Sequence, residues 1–477
     1  MKRQVPCSDL SRTFRDAVTI TRKLGFQYLW IDGLCILQDD QEEWEIEVSN
    51  MSRIFANSQL TIAASRATDG SEGCWSSRLK EPFHLRCTTD REIRDPLLWQ
   101  PYQIEGLDRD GFPKTFSVSL GFPHGIFQRK RPAEPLLKRA WVFQEQILSP
   151  RIIHYASGEL FFECKTHIAC ECSGWSVRSQ SWDWETRWRK AHNVLVNQDK
   201  FNRTVLGGLE QSLREFEAYK TLIETYTELD ITNDLDRLPA LSGLTLGRDD
   251  EYLAGMWKSF FLMTLHWIPE SESPKGIMAR RPHEYRAPTW SWASMEAPIR
   301  HIGSDAVNVP FNAKLEAKIL DVSCTAKGAD PRGHLSDGHL RIQGPGCIAK
   351  VTHIGICERE AWGHEARLQK LADGNLGTID RALLDPEQSR LCTYVTIRRG
   401  SGAEKEEAHC YLDLPLVLAR GNPAEVAVGD EVVCLVVSKQ LILILRPSRT
   451  VSGAFCRVGV LRRTQGLSMK TAVVTIR

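Results

Sequence analysis

Two stretches of the chain gather side chains that can do chemistry. In YLWIDGLCILQDD (Tyr28–Asp40) an apolar run passes Trp30 and ends in Asp32, Cys35, Gln38, Asp39 and Asp40. In RAWVFQEQ (Arg139–Gln146) the polar groups Arg139, Gln144 and Glu145 surround Trp141. A carboxylate just past the carboxyl end of a parallel strand stands at the mouth of the usual ligand crevice, and Asp32 has that position. The same position suits an aspartate that caps its own loop while Trp30 fills the core. Arg139 and Glu145 read equally as a surface ion pair or as a cleft pair that takes a sugar or a phosphate. A third stretch, ECKTHIACEC, offers the zinc-ligand types Cys164, His167, Cys170 and Cys172. Its C-x5-C and C-x-C spacings are not the paired C-x-x-C of a structural zinc site, and Cys164 closes an apolar strand where a buried thiol is ordinary. No metal is expected.

Other chemistries lack their motif. No G-x-G-x-x-G follows a strand, and no phosphate loop, H-E-x-x-H helix or G-x-S-x-G elbow occurs.

The elements that must position these groups follow from periodicity. SDLSRTFRDAVTITRKLG reads as a helix capped by Ser8, with Leu10, Phe14, Ala17, Val18 and Leu24 on one face and Gly25 at its end. FQYLWID is of strand length. DQEEWEIEVSNMSRIF reads as a second helix with Trp44, Val48, Met51 and Phe55 inward, and QLTIAAS as a second strand. Helix–strand–helix–strand order implies an α/β layer with a parallel sheet. A Gly-, Pro- and charge-rich insertion runs over about 68–135. RAWVFQEQ then reads as a short helix, followed by RIIHY, a turn at ASGE, and LFFEC as the returning strand. Residues 182–267 carry a mainly helical pattern, in which MWKSFFLMTLHWI (Met256–Ile268) reads as a buried helix. From about Ala313, runs such as HLRIQG, LCTYVTIRR, EVVCLVVS, LILILRP and CRVGVLRR alternate with turns, the texture of an antiparallel barrel or sandwich.

At 477 residues the chain exceeds one ordinary core. Lys+Arg 61 against Asp+Glu 60 gives no bulk charge for nucleic acid or an acidic membrane surface. Fourteen cysteines without regular spacing, and a start (MKRQVPCSDLSRTF) with no apolar run, fit reduced thiols in a cytoplasmic protein. No apolar window reaches the length of a membrane span.

TFRDAVTITRKLGFQYLWIDGLCILQDDQEEWEIEVSNMSRIFANSQLTIAAS and RAWVFQEQILSPRIIHYASGELFFEC, in that order, resemble the heterokaryon-incompatibility (HET) domain of filamentous fungi. DRLPALSGL, YLAGMW and YRAPTWSWAS resemble the region downstream of that domain in large family members. The resemblance implies a HET domain over 1–172, a helical region over 173–300 and a β-rich domain over 301–477. It also implies a fold like the Toll/interleukin-1 receptor (TIR) domain, α/β with a mainly parallel sheet. The apolar strand that usually opens the family's domain, ending in a Ser-Tyr-x-Trp-Gly type motif, is not found before TFRDA, so a shortened domain is expected.

By function the resemblance implies fungal allorecognition and regulated cell death, through self-association and protein partners. By analogy with TIR domains that cleave NAD, it also implies a possible glycohydrolase with NAD as substrate. There Glu145 and Asp32 are the catalytic candidates, Glu145 holding the nicotinamide ribose and Asp32 a ribose hydroxyl. Arg139 takes a phosphate, and Trp30, Gln38, Trp141 and Gln144 line the substrate. A third implication is an inactive, degenerate paralogue.

Overall fold

The computed structural model describes residues 5–75, 102–107, 113–118, 134–157, 159–171, 176–178, 187–196, 208–245, 247–270, 279–301, 315–328, 330–358, 369–370, 391–399, 406–413, 426, 429–438, 441–462 and 469–477. The chain divides into two compact units. One is Met1–Ile31, Asn57–Val142 and Ser149–Thr186; the other is Asp32–Ala56, Phe143–Leu148 and Arg187–Arg477. Helices α1 (Arg12–Lys23), α2 (Asp32–Cys35), α3 (Gln41–Asn57) and α4 (Ala140–Leu148) belong to the N-terminal part of the sequence.

In the first unit α1 is capped by Ser11, whose Oγ accepts the Phe14 N–H at 3.3 Å. The expected cap, Ser8, lies instead in a 3-10 turn over Cys7–Asp9, so the helix begins one turn later. Its other end is a Schellman motif. Gly25, at φ 77°, donates to Arg22 O, and Phe26 donates to Thr21 O. Phe26 is thereby tied to the helix end. The expected FQYLWID strand does not form: no described residue supplies it with a ladder partner, Tyr28 is 90% exposed, and α2 begins at Asp32.

The sheet of this unit runs β1 (Thr61–Ala63), β4 (Arg151–Tyr155), β5 (Leu160–Cys164), β6 (His167–Cys170), β7 (Ser176–Arg178). β2 (Tyr102–Leu107) and β3 (Pro113–Val118) form a separate hairpin; the rest of the expected insertion lies largely outside the described residues. The sheet is mixed, which corrects the expectation of a mainly parallel one. β1 runs parallel to β4, whereas β4–β5, β5–β6 and β6–β7 are antiparallel. The turns from β4 to β5 and from β5 to β6 are too short for a parallel crossover, which needs a dozen or more residues.

In the second unit Asp40 Oδ1 accepts the Glu43 N–H at 3.0 Å and caps α3, which buries Val48 and Met51. Further on come α5 (Arg187–Val196) and α6 (Gly208–Thr227), the latter burying Phe216, Tyr219, Ile223 and Tyr226. YLAGMW is a hairpin. β8 (Tyr252–Leu253) and β9 (Met256–Trp257) are joined by Ala254 at φ 47° and Gly255 at φ 91°, the doubly left-handed turn that matches strand twist. A Cβ on Gly255 would lie 2.8 Å from Trp292 Nε1. Because Met256 and Trp257 pair as a strand, Met256–Ile268 is not the one helix expected. It is β9, a 3-10 turn, a four-residue helix at Phe261–Thr264 and the start of β10 (Trp267–Pro269), buried along most of its length. β10 pairs with β11 (Ile299–His301).

YRAPTWSWAS knots this region together. Trp290 and Trp292 are wholly buried with Trp267, and Trp267 Nε1 donates to Trp290 O at 2.9 Å. Trp292 Nε1 and Tyr219 Oη both donate to Gly255 O. Arg286 gives its Nε and both Nη groups to the carbonyls of Ala293, Asp234 and Met295 at 2.6–2.8 Å.

The C-terminal sheet is largely antiparallel, as the turn-punctuated texture led one to expect. β12 (Lys318–Ala326) pairs with the long β13 (Leu335–Glu358). From β13 the ladder runs through β15 (Leu391–Arg399), β16 (Glu406–Leu412), β19 (Phe455–Arg462), β18 (Leu441–Pro447) and β17 (Glu431–Ser438). β17 pairs back onto β13 at Gly346–Lys350, which closes a barrel-like ring. β14 (Gln369–Lys370) and β20 (Lys470–Ile476) add to β13. Inside are Val351, Val432, Cys434, Val436, Ile442, Ile444 and Val458.

Candidate functional site

The polar groups after Trp30 lie at the surface and make short-range bonds. Trp30 is half-buried. Asp32 is exposed; its Oδ1 accepts the Gly33 N–H at 2.7 Å and its carbonyl accepts the Ile36 N–H at 3.0 Å. Gln38 is exposed, and its Nε2 donates to Ile36 O at 3.1 Å.

α4 alternates in a different way. Arg139 is exposed just before it, Trp141 and Glu145 are half-buried, and Gln144 is only 1% exposed. Gln144 Oε1 accepts the Gly243 N–H at 2.8 Å. A Cβ on Gly243 would collide with Gln144 Oε1 and come within 2.6 Å of Ser52 Cβ, so the glycine of DRLPALSGL is what lets the backbone reach the glutamine. At the far end of α4, Arg189 donates to Gln146 O at 2.6 Å and Ile147 O at 3.3 Å, carbonyls a helix end leaves without intrahelical partners. Phe143 packs against Trp188 and Tyr226. Of the residues singled out by sequence, Asp32, Gln38, Gln144 and Glu145 belong to the second unit, and Trp30, Arg139 and Trp141 to the first.

Sequence reasoning missed a buried polar chain in the first unit. His154 Nδ1 lies 3.0 Å from Ser65 Oγ, and His154 Nε2 lies 2.9 Å from Glu163 Oε2. All three residues are shut off from solvent. The signal was available. In RIIHY and LFFEC, His154 and Glu163 fall on the same parity as the buried Ile152 and Phe161, so strand alternation alone turns them inward. Nucleophile, imidazole and carboxylate stand in hydrogen-bonding order, but without solvent access the arrangement satisfies a polar interior instead of meeting a substrate. Cys74, buried near Asp16, has its thiol pushed up to about 11, first by burial, which keeps it protonated and unreactive.

Among the described residues no group of three or more His, Cys, Asp or Glu side chains is placed to hold a metal ion. Cys164 closes β5 and His167 opens β6, while the Cys170 side chain and Cys172 lie outside the described residues.

Residues 1–145 match the family model described as heterokaryon incompatibility protein (HET). That stretch of the chain is a HET domain by this match. No curated protein and no solved structure matches the chain. The HET match ends on Glu145, within α4, and takes in residues of both units: Asp32–Ala56 and Phe143–Glu145 belong to the second. The HET domain supports a role related to heterokaryon incompatibility. No helix among the described residues is long and apolar enough to cross a membrane.

Proposed function

We propose that the chain is a heterokaryon-incompatibility-type effector of fungal non-self recognition and regulated cell death, acting in the cytoplasm by self-association of its HET domain. The observation that carries this reading is the apolar run leaving α1. Leu24, Phe26 and Tyr28 are all substantially exposed within five residues, inside the matched segment. Aromatic side chains clustered in water are the usual anchors of protein interfaces. The occupant proposed for them is a second copy of the chain. Light scattering on the full chain over a concentration series tests it. Mass should rise with concentration, and Phe26→Ser with Tyr28→Ser should hold the chain at monomer mass. A wild-type chain that stays monomeric throughout overturns the reading. The TIR-like fold and the helical region over 173–300 go with this proposal.

A second reading, NAD glycohydrolase, has support from Glu145. It is the half-buried carboxylate between the buried Gln144 and Gln146, on a helix whose end is fixed by Arg189. Such a carboxylate on a rigid element is suited to an oxocarbenium-like centre. Nicotinamide release from NAD that disappears in a folded Glu145→Gln variant would establish it; no release from the wild-type chain removes it.

A further inference from the structure

DRLPALSGL and YRAPTWSWAS each place an arginine in the interior of the second unit. Arg286 is saturated by backbone carbonyls, but Arg237 is not. It is 6% exposed, and among the described residues nothing accepts from its Nε–H or Nη1–H. No described carboxylate lies within ion-pairing distance. Asp236 next to it accepts from Asn233 Nδ2 at 3.1 Å and stands 3.7 Å from His334 Nε2. Asp234 is 3.8 Å from Arg280, and Glu296 is paired with the same Arg280. What does touch Arg237 is neutral: its guanidinium lies 5.9 Å from the centre of the Tyr226 ring, and the Tyr226 hydroxyl donates to its carbonyl at 2.7 Å.

An unpaired guanidinium at this depth is costly, and a second one beside it raises the cost. Arg286 feels that charge. Burial, and then Arg237, bring its pKa down to about 10. Tyr226 Oη and the Arg286 Nη1 bond to Asp234 O hold the Asp234–Arg237 turn from both sides, so Arg237 is kept in place by its surroundings. A fixed, buried cation with free N–H donors and no described carboxylate in ion-pairing contact is the makings of an anion site.

We propose that Arg237, with the added charge of Arg286, binds a small oxyanion such as phosphate in the second unit. Inorganic phosphate is the probe. The full chain, dialysed into chloride, is titrated with phosphate at matched ionic strength, following the unfolding midpoint and the heat of binding. The expected result is a saturable rise of the midpoint with phosphate and none with chloride. In Arg237→Met the phosphate increment should vanish, while the midpoint in chloride stays level or rises, because an uncompensated charge has been removed. Should Arg237→Met not fold, Arg237→Lys keeps the charge and loses the planar fork, and should bind phosphate about tenfold more weakly. Absence of saturable phosphate binding overturns the proposal, as does equal binding by either variant.

Discussion

The mixed sheet of the first unit and the barrel of the second bury very different interiors. The first has strands of three to five residues and encloses Ser65, His154 and Glu163. The barrel has longer strands and an aliphatic interior, and on the other face of β19 Arg457 is buried in an ion pair with Asp413. Short strands bury little apolar area, so a larger share of their pairing rests on hydrogen bonds that have no alternative once water is excluded. Long strands bury enough that a charge is tolerated as a fixture. Arg457 donates to both Asp413 oxygens and to the carbonyls of Leu265 and Trp267, with its guanidinium over the Trp267 ring.

The contrast is broken most severely at that fixture. Arg457→Met leaves Asp413 buried with Arg281 at 3.7 Å as its remaining ion-pair partner, and should cost about 3–5 kcal/mol in urea unfolding. Adding Asp413→Leu should recover much of the loss. A single-variant cost below about 1 kcal/mol would mean that Arg457 is no fixture and that the barrel is as tolerant there as a surface.

Acid should attack the second unit through His266. It is fully buried, with Nδ1 toward Met263 O and Nε2 toward Ser438 Oγ, and burial brings its pKa down to about 4. The unfolded chain takes the proton near 6.5, before the folded one does. Stability is therefore intact above pH ~6.5, falls by about 1.4 kcal/mol per unit as pH drops, and levels off below ~4. His301 is shifted the same way, also by burial, and adds to the slope. Urea midpoints measured across this window should show it, and His266→Gln should make it shallower by the His266 share. An unchanged slope in that variant would assign the acid sensitivity elsewhere.

In the first unit the corresponding test is Glu163→Gln. It keeps the shape and removes the charge beside His154, and should cost about 1–3 kcal/mol. A neutral outcome would show that the polar interior needs only hydrogen bonds, sharpening the difference from Arg457.

How far the sequence spoke follows the same division. The barrel strands were readable because each run pairs with its neighbours within one sheet and is bounded by turn residues. α3 was readable from Val48 and Met51. FQYLWID was not. Its composition is that of a strand, but a strand exists only with a ladder partner, and Phe26 is captured by the Schellman end of α1 instead. Of the candidate residues, Asp32 was legible as either of two things; in the structure it is exposed and its carboxylate accepts the Gly33 N–H. Gln144 was noticed for its type, but its partner Gly243 lies ninety-nine residues away, a distance no local pattern spans. The inward turn of His154 and Glu163 was written in strand parity; their pairing required the β4–β5 register.

The smallest effect separates the two units at their helix starts. Ser11 caps α1 with one bond to Phe14 N, at 3.3 Å, and Asp40 caps α3 with one to Glu43 N, at 3.0 Å. Either truncation to alanine should cost about 1 kcal/mol. The aspartate also carries a charge at the positive end of its helix, so Asp40→Ala should lose slightly more at low salt and converge on Ser11→Ala as salt screens it. Thermal midpoints of both variants at low and high salt measure this. Equal losses at every salt concentration would mean that the charge of Asp40 contributes nothing and that the two helix starts are held by the same single bond.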